Sequence, residues 1–261
     1  MRRAVRTRYE AYVDDVPLSS VDPAVIVADI AESEPDTRRT TADYPTLDGQ
    51  RVLRTVRQSL RVTVSFEIHT QDVRRRADIC ERVVRWAQGR FLKVNYRPEQ
   101  RLRVVCETPP SVASALSWTQ RLTVAFAAYA VPFWEDAQPT RVPVSGNGSV
   151  SAYVRGTAAQ TLVEATVQNS GSAAITAATL KAGDTAFLFA GISIPAGGSL
   201  VIGYDGARVL SAKIGNASVL ARRTTASDDD LLAPCGQRAA FSVSGAGANA
   251  KTTFTVRGWY L

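Results

Sequence analysis

One run near the middle of the chain constrains the fold more than any other, because each element in it is legible from local physics. A strand is followed by a helix, Gly89, a strand Phe91–Tyr96, a turn at Pro98, a strand Leu102–Cys106, Pro109-Pro110, a long strand Leu116–Tyr129, and Pro132-Phe133-Trp134. In the first strand Leu60, Val62, Val64, Phe66 and Ile68 interleave with Arg61, Thr63, Ser65 and Glu67, so one face is apolar and the other polar on a period of two. Thr70 or Asp72 supplies a side-chain oxygen to cap the helix. Val73, Ala77, Cys80, Val84 and Ala87 then step by four and three into one apolar stripe, with Asp78–Arg82 and Glu81–Arg85 as i,i+4 pairs on the wet side. Gly89 suits the left-handed position that ends a helix. Pro98 fits the second position of a β-turn, where its fixed φ costs nothing. A strand as long as Leu116–Tyr129 belongs to a barrel or to a sheet continued across subunits.

The flanking regions read differently. Tyr9–Val13 and Ala24–Ile30 suit short strands. The polar stretch Ala31–Gln50, with Pro35, Pro45 and Gly49, reads as a long loop or arm, a length that is usually functional or partner-bound. Composition shifts near residue 141. Pro143–Ser149 reads as a linker or turn, and β-like runs follow at Ser151–Arg155, Leu162–Gln168, Ala174–Leu180, Ala186–Ile194, Ser199–Tyr204, Val209–Ile214, Ala239–Ser244 and Thr252–Tyr260. Turn residues separate them at intervals that mark a β-sandwich or jelly roll. Two domains are expected, 1–141 with mixed α and β structure and 142–261 all β, giving a mainly β chain.

Chemistry is sparse. With 261 residues and 45% apolar content the chain can fill a core. The formal charge of +7 is spread nearly evenly on either side of residue 140, whereas a nucleic-acid binder concentrates it on one face. Cys80, Cys106 and Cys235 show no CxxC spacing and read as reduced, buried thiols made in a reducing cytoplasm. Arg2, Arg3, Arg6 and Arg8 precede no apolar stretch, so no signal peptide is expected, and no apolar run is long enough to span a membrane. The sequons at Asn147 and Asn216 therefore carry no weight. His69 stands alone, without a framed nucleophile, and reads as structural. Arg74-Arg75-Arg76 offers a grip for an acidic partner or a solvated helix face. Asp228-Asp229-Asp230 is the best calcium candidate, yet three adjacent acids are fewer ligands than calcium needs. Trp118, Trp134, Tyr153, Trp259 and Tyr260 offer a sugar platform or, more simply, core aromatics. No catalytic, cofactor-binding or metal-ligating residue is assigned, and no enzyme activity is expected.

The run Trp86-Ala87-Gln88-Gly89-Arg90-Phe91-Leu92-Lys93-Val94-Asn95-Tyr96-Arg97-Pro98, followed by Leu102–Cys106, resembles the distal tail protein (Dit) family of long-tailed siphophages. So does Leu122–Ala128 leading into Pro132-Phe133-Trp134-Glu135. In the second half, Leu200–Asp205 with Val209–Gly215 resembles a hairpin of that family, and Pro234-Cys235-Gly236 with Ala239–Val243 and Thr252–Tyr260 resembles its ending. The match runs over about residues 50–261. It departs from the pattern at Arg57-Gln58-Ser59, where an apolar strand entry is expected, and is weak over the first fifty residues.

The resemblance implies a tail-tube-like β-barrel or sheet with one flanking helix, followed by a galectin-like sandwich. It implies a structural virion protein, assembled in the host cytoplasm, whose six copies close into a ring. That ring would join the tail tube protein to the tail-tip hub or baseplate, let DNA pass through its lumen, and dock receptor-binding proteins on its outer domain. The arm at 31–50 would be ordered by a neighbour. The competing readings are a carbohydrate-binding module built on the second domain, a tail-tube or other connector subunit, and a hydrolase with scattered carboxylates.

Overall fold

The computed structural model describes residues 9–33, 37–43, 50–111 and 121–261. The chain divides into two compact units, Met1–Trp134 and Glu135–Leu261. This boundary lies earlier than the compositional shift at 141. Residues 135 and 136 already belong to the second unit, because Asp136 is buried there and accepts the Gly258 N–H at 3.0 Å.

The first unit contains β1 (Ala11–Val13), β2 (Val16–Pro17), β3 (Val25–Glu32), β4 (Thr37–Asp43), β5 (Gln50–Arg57), β6 (Leu60–Ile68), helix α1 (Val73–Trp86), β7 (Phe91–Val94), β8 (Gln100–Arg103), β9 (Val105–Thr108) and β10 (Leu122–Ala128). One sheet has the order β3-β6-β10-β9, and β2, β1, β7 and β8 lie side by side in another. The sheets are open, and no closed barrel forms among the described residues. Strand β6 has the bounds and the alternation expected of it, and its buried face is matched across β10 by Val64 opposite Val124 and Val62 opposite Phe126.

Helix α1 packs on that face. Its N-cap is Asp72, which accepts the Arg74 and Arg75 N–H groups. The buried stripe is Arg76, Ile79, Cys80, Val83 and Trp86, rotated from the expected one: Val73 is exposed, and Ala77 and Val84 are only half-buried. The cause is Arg76, whose buried guanidinium donates to the Ile68 carbonyl at 2.7 Å and so occupies a position that hydropathy assigns to water. Trp86 meets Phe126 edge to face with centroids 6.0 Å apart, while its indole N–H donates to the Val16 carbonyl at 2.8 Å. Each fully buried Ile or Val on this stripe contributes about 2 kcal/mol. Asp78 and Arg82 form the expected i,i+4 pair at 3.2 Å.

Three expectations change. The Leu102–Cys106 segment is two strands, because the chain leaves one sheet after Arg103 and joins β10 in the other from Val105. Alternation cannot register a change of partner. Much of the long strand expected from Leu116 lies outside the described residues, and β10 begins at Leu122. The polar stretch Ala31–Gln50, expected as a loop, holds strand β4, which pairs antiparallel with β5 just beyond it in a two-stranded ribbon. The expected turn does form, with Gln100 N–H donating to the Arg97 carbonyl at 3.1 Å.

Strand β11 (Trp134–Asp136) begins on the last residue of the first unit, and the second unit continues with β12 (Thr140–Ser145), β13 (Ser149–Val154), β14 (Gln160–Asn169), β15 (Ile175–Ala182), β16 (Thr185–Ile194), β17 (Ser199–Tyr204), β18 (Leu210–Ile214), β19 (Ala217–Ser218), β20 (Leu232–Pro234), β21 (Gln237–Ser244), β22 (Ala250–Val256) and β23 (Trp259–Tyr260). One sheet runs β12-β22-β14-β17-β18-β19 with β20 against the start of β14, and the other runs β13-β21-β15-β16. Their apolar faces share one core, in which Phe254 of β22 meets Phe241 of β21 at 5.3 Å between centroids. This is the β-sandwich expected. Strand β12 occupies part of the expected linker. Its Pro143, which has no N–H to give, is tolerated because β12 is an edge strand. Gly156, at φ +116, lets the backbone come so close to Trp259 that an added Cβ would lie 2.4 Å from the Trp259 carbonyl oxygen.

Gly89 does not take the left-handed conformation expected of it. It is required by proximity, since a Cβ there would lie 2.2 Å from Val13 Cγ1 and 2.6 Å from Asp14 Oδ2. Val13 is buried and cannot yield. Gly89→Ala is therefore expected to lower stability by about 1–3 kcal/mol in urea unfolding. A wild-type midpoint would show that the β1 turn gives way freely.

Candidate functional site

The polar face of the β3-β6-β10-β9 sheet carries charges that are paired with each other. Arg61 donates twice to the Glu107 carboxylate, at 3.0 and 3.1 Å, and Tyr129 donates to the same group at 2.9 Å. Glu107 titrates below its ordinary range because of those bonds, the Arg61 contribution being the larger. His69, exposed at the end of β6, faces Glu67 at 3.1 Å, and Arg121 approaches the same carboxylate at 3.8 Å. The geometry gives His69 an ion-pairing role when protonated.

The arginine run splits three ways. Arg74 is exposed, Arg76 is buried in the core, and Arg75 donates to Asp22 at 3.1 Å. Asp22 also takes a hydrogen bond from Arg82 at 2.9 Å and another from the Ala24 N–H at 2.9 Å. The Ala24 N–H, seconded by the two guanidiniums, holds the Asp22 carboxyl below its usual range against the opposing effect of burial. A second carboxylate, Glu32, gathers the Tyr96 hydroxyl at 2.7 Å, the Trp134 indole N–H at 3.0 Å and Arg97 at 3.4 Å. Burial, then the Glu32 contact, pushes the Tyr96 hydroxyl strongly up.

The three aspartates of the second unit do not converge. Asp228 accepts the Ala186 N–H at 2.6 Å, Asp230 meets Arg208 at 3.3 Å, and Asp229 offers its backbone carbonyl to Arg223 at 3.0 Å. No group of three metal-competent side chains exists among the described residues. The aromatics do not form a platform either. Trp134 and Trp259 are buried, the Tyr260 hydroxyl donates to Asp136 at 2.9 Å, Tyr153 alone is exposed, and Trp118 lies outside the described residues. Cys80 is buried, Cys106 and Cys235 are half-buried, and desolvation raises all three thiols, which keeps them protonated and poorly nucleophilic at neutral pH.

What remains as a surface built for contact is the β4–β5 ribbon. It pairs with no other described strand. Thr40 lies opposite Arg54 and Thr41 opposite Val52, so Leu53 is an extra residue that bulges the ribbon. Val52 and Leu53 are 51% and 57% exposed. A cavity of about 540 Å³ at its base is lined by Arg38, Thr40, Val56, Arg57 and Gln58. Sequence reading missed the ribbon, although its threonines and valines carry the β-propensity that signals one.

Among family models and curated protein sequences nothing matches this chain. Solved structures do. The crystal structure of SPP1 Dit (gp 19.1), described as a paradigm of the hub adsorption apparatus in phages infecting Gram-positive bacteria, superposes with a TM-score of 0.66. That match covers 95% of this chain and 98% of that one at 11% identity. Chains of the phage p2 baseplate in its activated conformation, with strontium or calcium, match at TM-scores of 0.48 and 0.46, with 9% and 10% identity and coverage of 96% and 97% of the two chains in each case. Over nearly its whole length, then, the chain has the fold of a distal tail protein.

Two measurements check the site chemistry. A carboxylate whose folded pKa is depressed stabilises the protein above its unfolded value and loses that contribution as the pH falls through the folded one. The Asp22 contribution is thus expected to be intact at neutral pH and to disappear below about pH 3.8. Asp22→Asn should cost about 2 kcal/mol at pH 7 and flatten the acid limb of the stability curve; an unchanged limb would show that other groups set acid stability. Cys80 should resist a thiol reagent at pH 7 until denaturant is added, and rapid native labelling would contradict its burial.

Proposed function

We propose that this chain is a structural protein of a siphophage-type tail, and that copies of it close into a six-membered ring at the tail's distal end. The observation that carries this reading is the agreement in fold with SPP1 Dit across both units, from one end of the chain to the other. The ring joins the tail tube to the tail tip or baseplate, and DNA passes through it. The second unit faces outward as a galectin-like docking domain for tail-tip or receptor-binding proteins. Its place is the virion, after assembly in the host cytoplasm, and its work is positional rather than catalytic.

The physical design suits such a role. Several charges on the polar sheet face are paired within the chain, and burial holds the Tyr96 hydroxyl and the Cys80 thiol in their neutral forms. A ring contact is heterologous and closes only if its rotation divides the circle. Open sheets such as β3-β6-β10-β9 leave edges that a neighbour's backbone pairs with.

Native mass spectrometry of the full chain tests the proposal. A closed assembly of six copies, or two such rings stacked, is the expected result. A monomer at high concentration overturns the ring, and an open-ended polymer identifies a tube subunit instead. A glycan array probed with the full chain separates the carbohydrate-binding alternative, for which specific retention of one sugar class is the signature.

A further inference from the structure

From the β4–β5 ribbon we infer a docking surface for an acidic protein partner other than a second copy of this chain. The inference rests on the reading of the chain as a connector, and it names the chemistry of one of its contacts.

Three observations carry it. The first is charge. The two strands hold Arg38, Arg39, Arg51, Arg54 and Arg57 against a single acid, Asp43. The second is pairing. Several arginines of the first unit meet carboxylates: Arg61 with Glu107, Arg75 and Arg82 with Asp22, Arg97 with Glu32, Arg121 with Glu67. Arg38, Arg39 and Arg57 meet none among the described residues, and the contact that Arg57 makes is with the ring of Phe133 at 5.5 Å. Arg38 and Arg39 are exposed, where an outside anion can reach them. The third is support. A two-stranded ribbon is marginal by itself in water, and this one joins no larger sheet among the described residues while exposing Val52, Leu53 and Val56. Those side chains gain burial only when another surface covers them.

The occupant follows from the same facts. Interleaved valine and leucine fit a protein surface, and neither strand offers an aromatic residue on which a base would stack. A second copy is a poor match. It carries the same net +7, and on the first unit Asp15, Glu67, Asp78 and Glu107 are already engaged by this chain's own cations. Carboxylates flanked by aliphatic side chains complete the ribbon: the carboxylates sit on Arg38 and Arg57 at the basal cavity, and the aliphatic groups on Val52, Leu53 and Val56.

The test uses the full chain and three labelled probes read by fluorescence anisotropy at matched ionic strength: a peptide alternating Glu and Leu, an all-Glu peptide of equal charge, and a short DNA duplex. The Glu-Leu peptide is expected to bind about tenfold more tightly than the all-Glu peptide. The double variant Arg38→Ala/Arg57→Ala should lose about tenfold for both peptides, and Arg38→Lys/Arg57→Lys should recover part of it. Binding of the duplex, whatever its strength, should change less than twofold. Equal peptide binding by wild type and the alanine variant overturns the proposal. A loss confined to DNA makes the ribbon a nucleic-acid contact, and a loss of self-association in native mass spectrometry makes it a ring contact; either result also overturns it. Ring formation by the wild type is read separately, so failure of the ring leaves the peptide result interpretable, and the converse holds.

Discussion

The first unit is organised around one carboxylate. Asp22 sits just before β3, at the edge of the sheet, and receives Arg75 and Arg82 from positions about two turns apart on α1. It also closes its own turn by accepting the Ala24 N–H. This fixes the helix along the sheet and in rotation about its axis, which apolar packing alone does not do, since dispersion is non-directional. With that rotation set, Ile79, Val83 and Trp86 face the core, Trp86 meets Phe126, and Arg76 is carried inward to the Ile68 and Thr70 carbonyls at the end of β6. Lose the ion pairs and the helix still has an apolar side, but its register against the strands is no longer specified.

The same residues explain where the sequence was readable. Leu60–Ile68 was legible to the residue because its alternation is a property of one strand and its one buried face. The Asp72 cap, the Asp78–Arg82 pair and the Pro98 turn were legible because each is local. The stripe of α1 was misplaced because a buried arginine cannot be told from an exposed one until the carbonyls that receive it are known. The break at Val104 was missed because a strand that changes sheets keeps its alternation. Gly89 was recognised as required, but for the wrong reason: its constraint comes from Val13, seventy-six residues earlier in the chain. The site was less legible than the fold. Asp228 and Asp230 among the candidate acids, and Trp134 and Tyr260 among the candidate aromatics, are committed to partners that lie far off in sequence.

In the second unit the Asp228 segment illustrates what those commitments accomplish. Strand β16 is an edge, and an edge of ten residues invites pairing with another chain. Along its first half the edge is closed by a loop. Thr224 and Asp228 donate to the carbonyls of Leu188 and Ala186, while Ser227 Oγ and Asp228 Oδ2 accept the N–H groups of the same two residues. Arg223 lies over Phe187 and binds the Asp229 carbonyl, so the loop is held by its own cation. A run of acids that suggests a metal site in sequence is, in the fold, a substitute for a neighbouring strand.

Several edges and charges are handled inside the chain among the described residues, which gives weight to a segment where they are not. Strand β16 is covered, β12 carries a proline, and the polar sheet face pairs its acids with its bases. The β4–β5 ribbon follows none of these rules: it has two free edges, exposed aliphatic side chains, and arginines without carboxylates among the described residues. Such a segment is costly to a monomer and useful to an assembly, because guanidinium groups left unsatisfied in the free chain bind a matching surface without first breaking an internal ion pair. The open edges of the β3-β6-β10-β9 sheet offer a different kind of contact, backbone to backbone, that is indifferent to charge and suits repetition of identical subunits. A connector needs both kinds: one that repeats around a ring and one that recognises what lies beyond it.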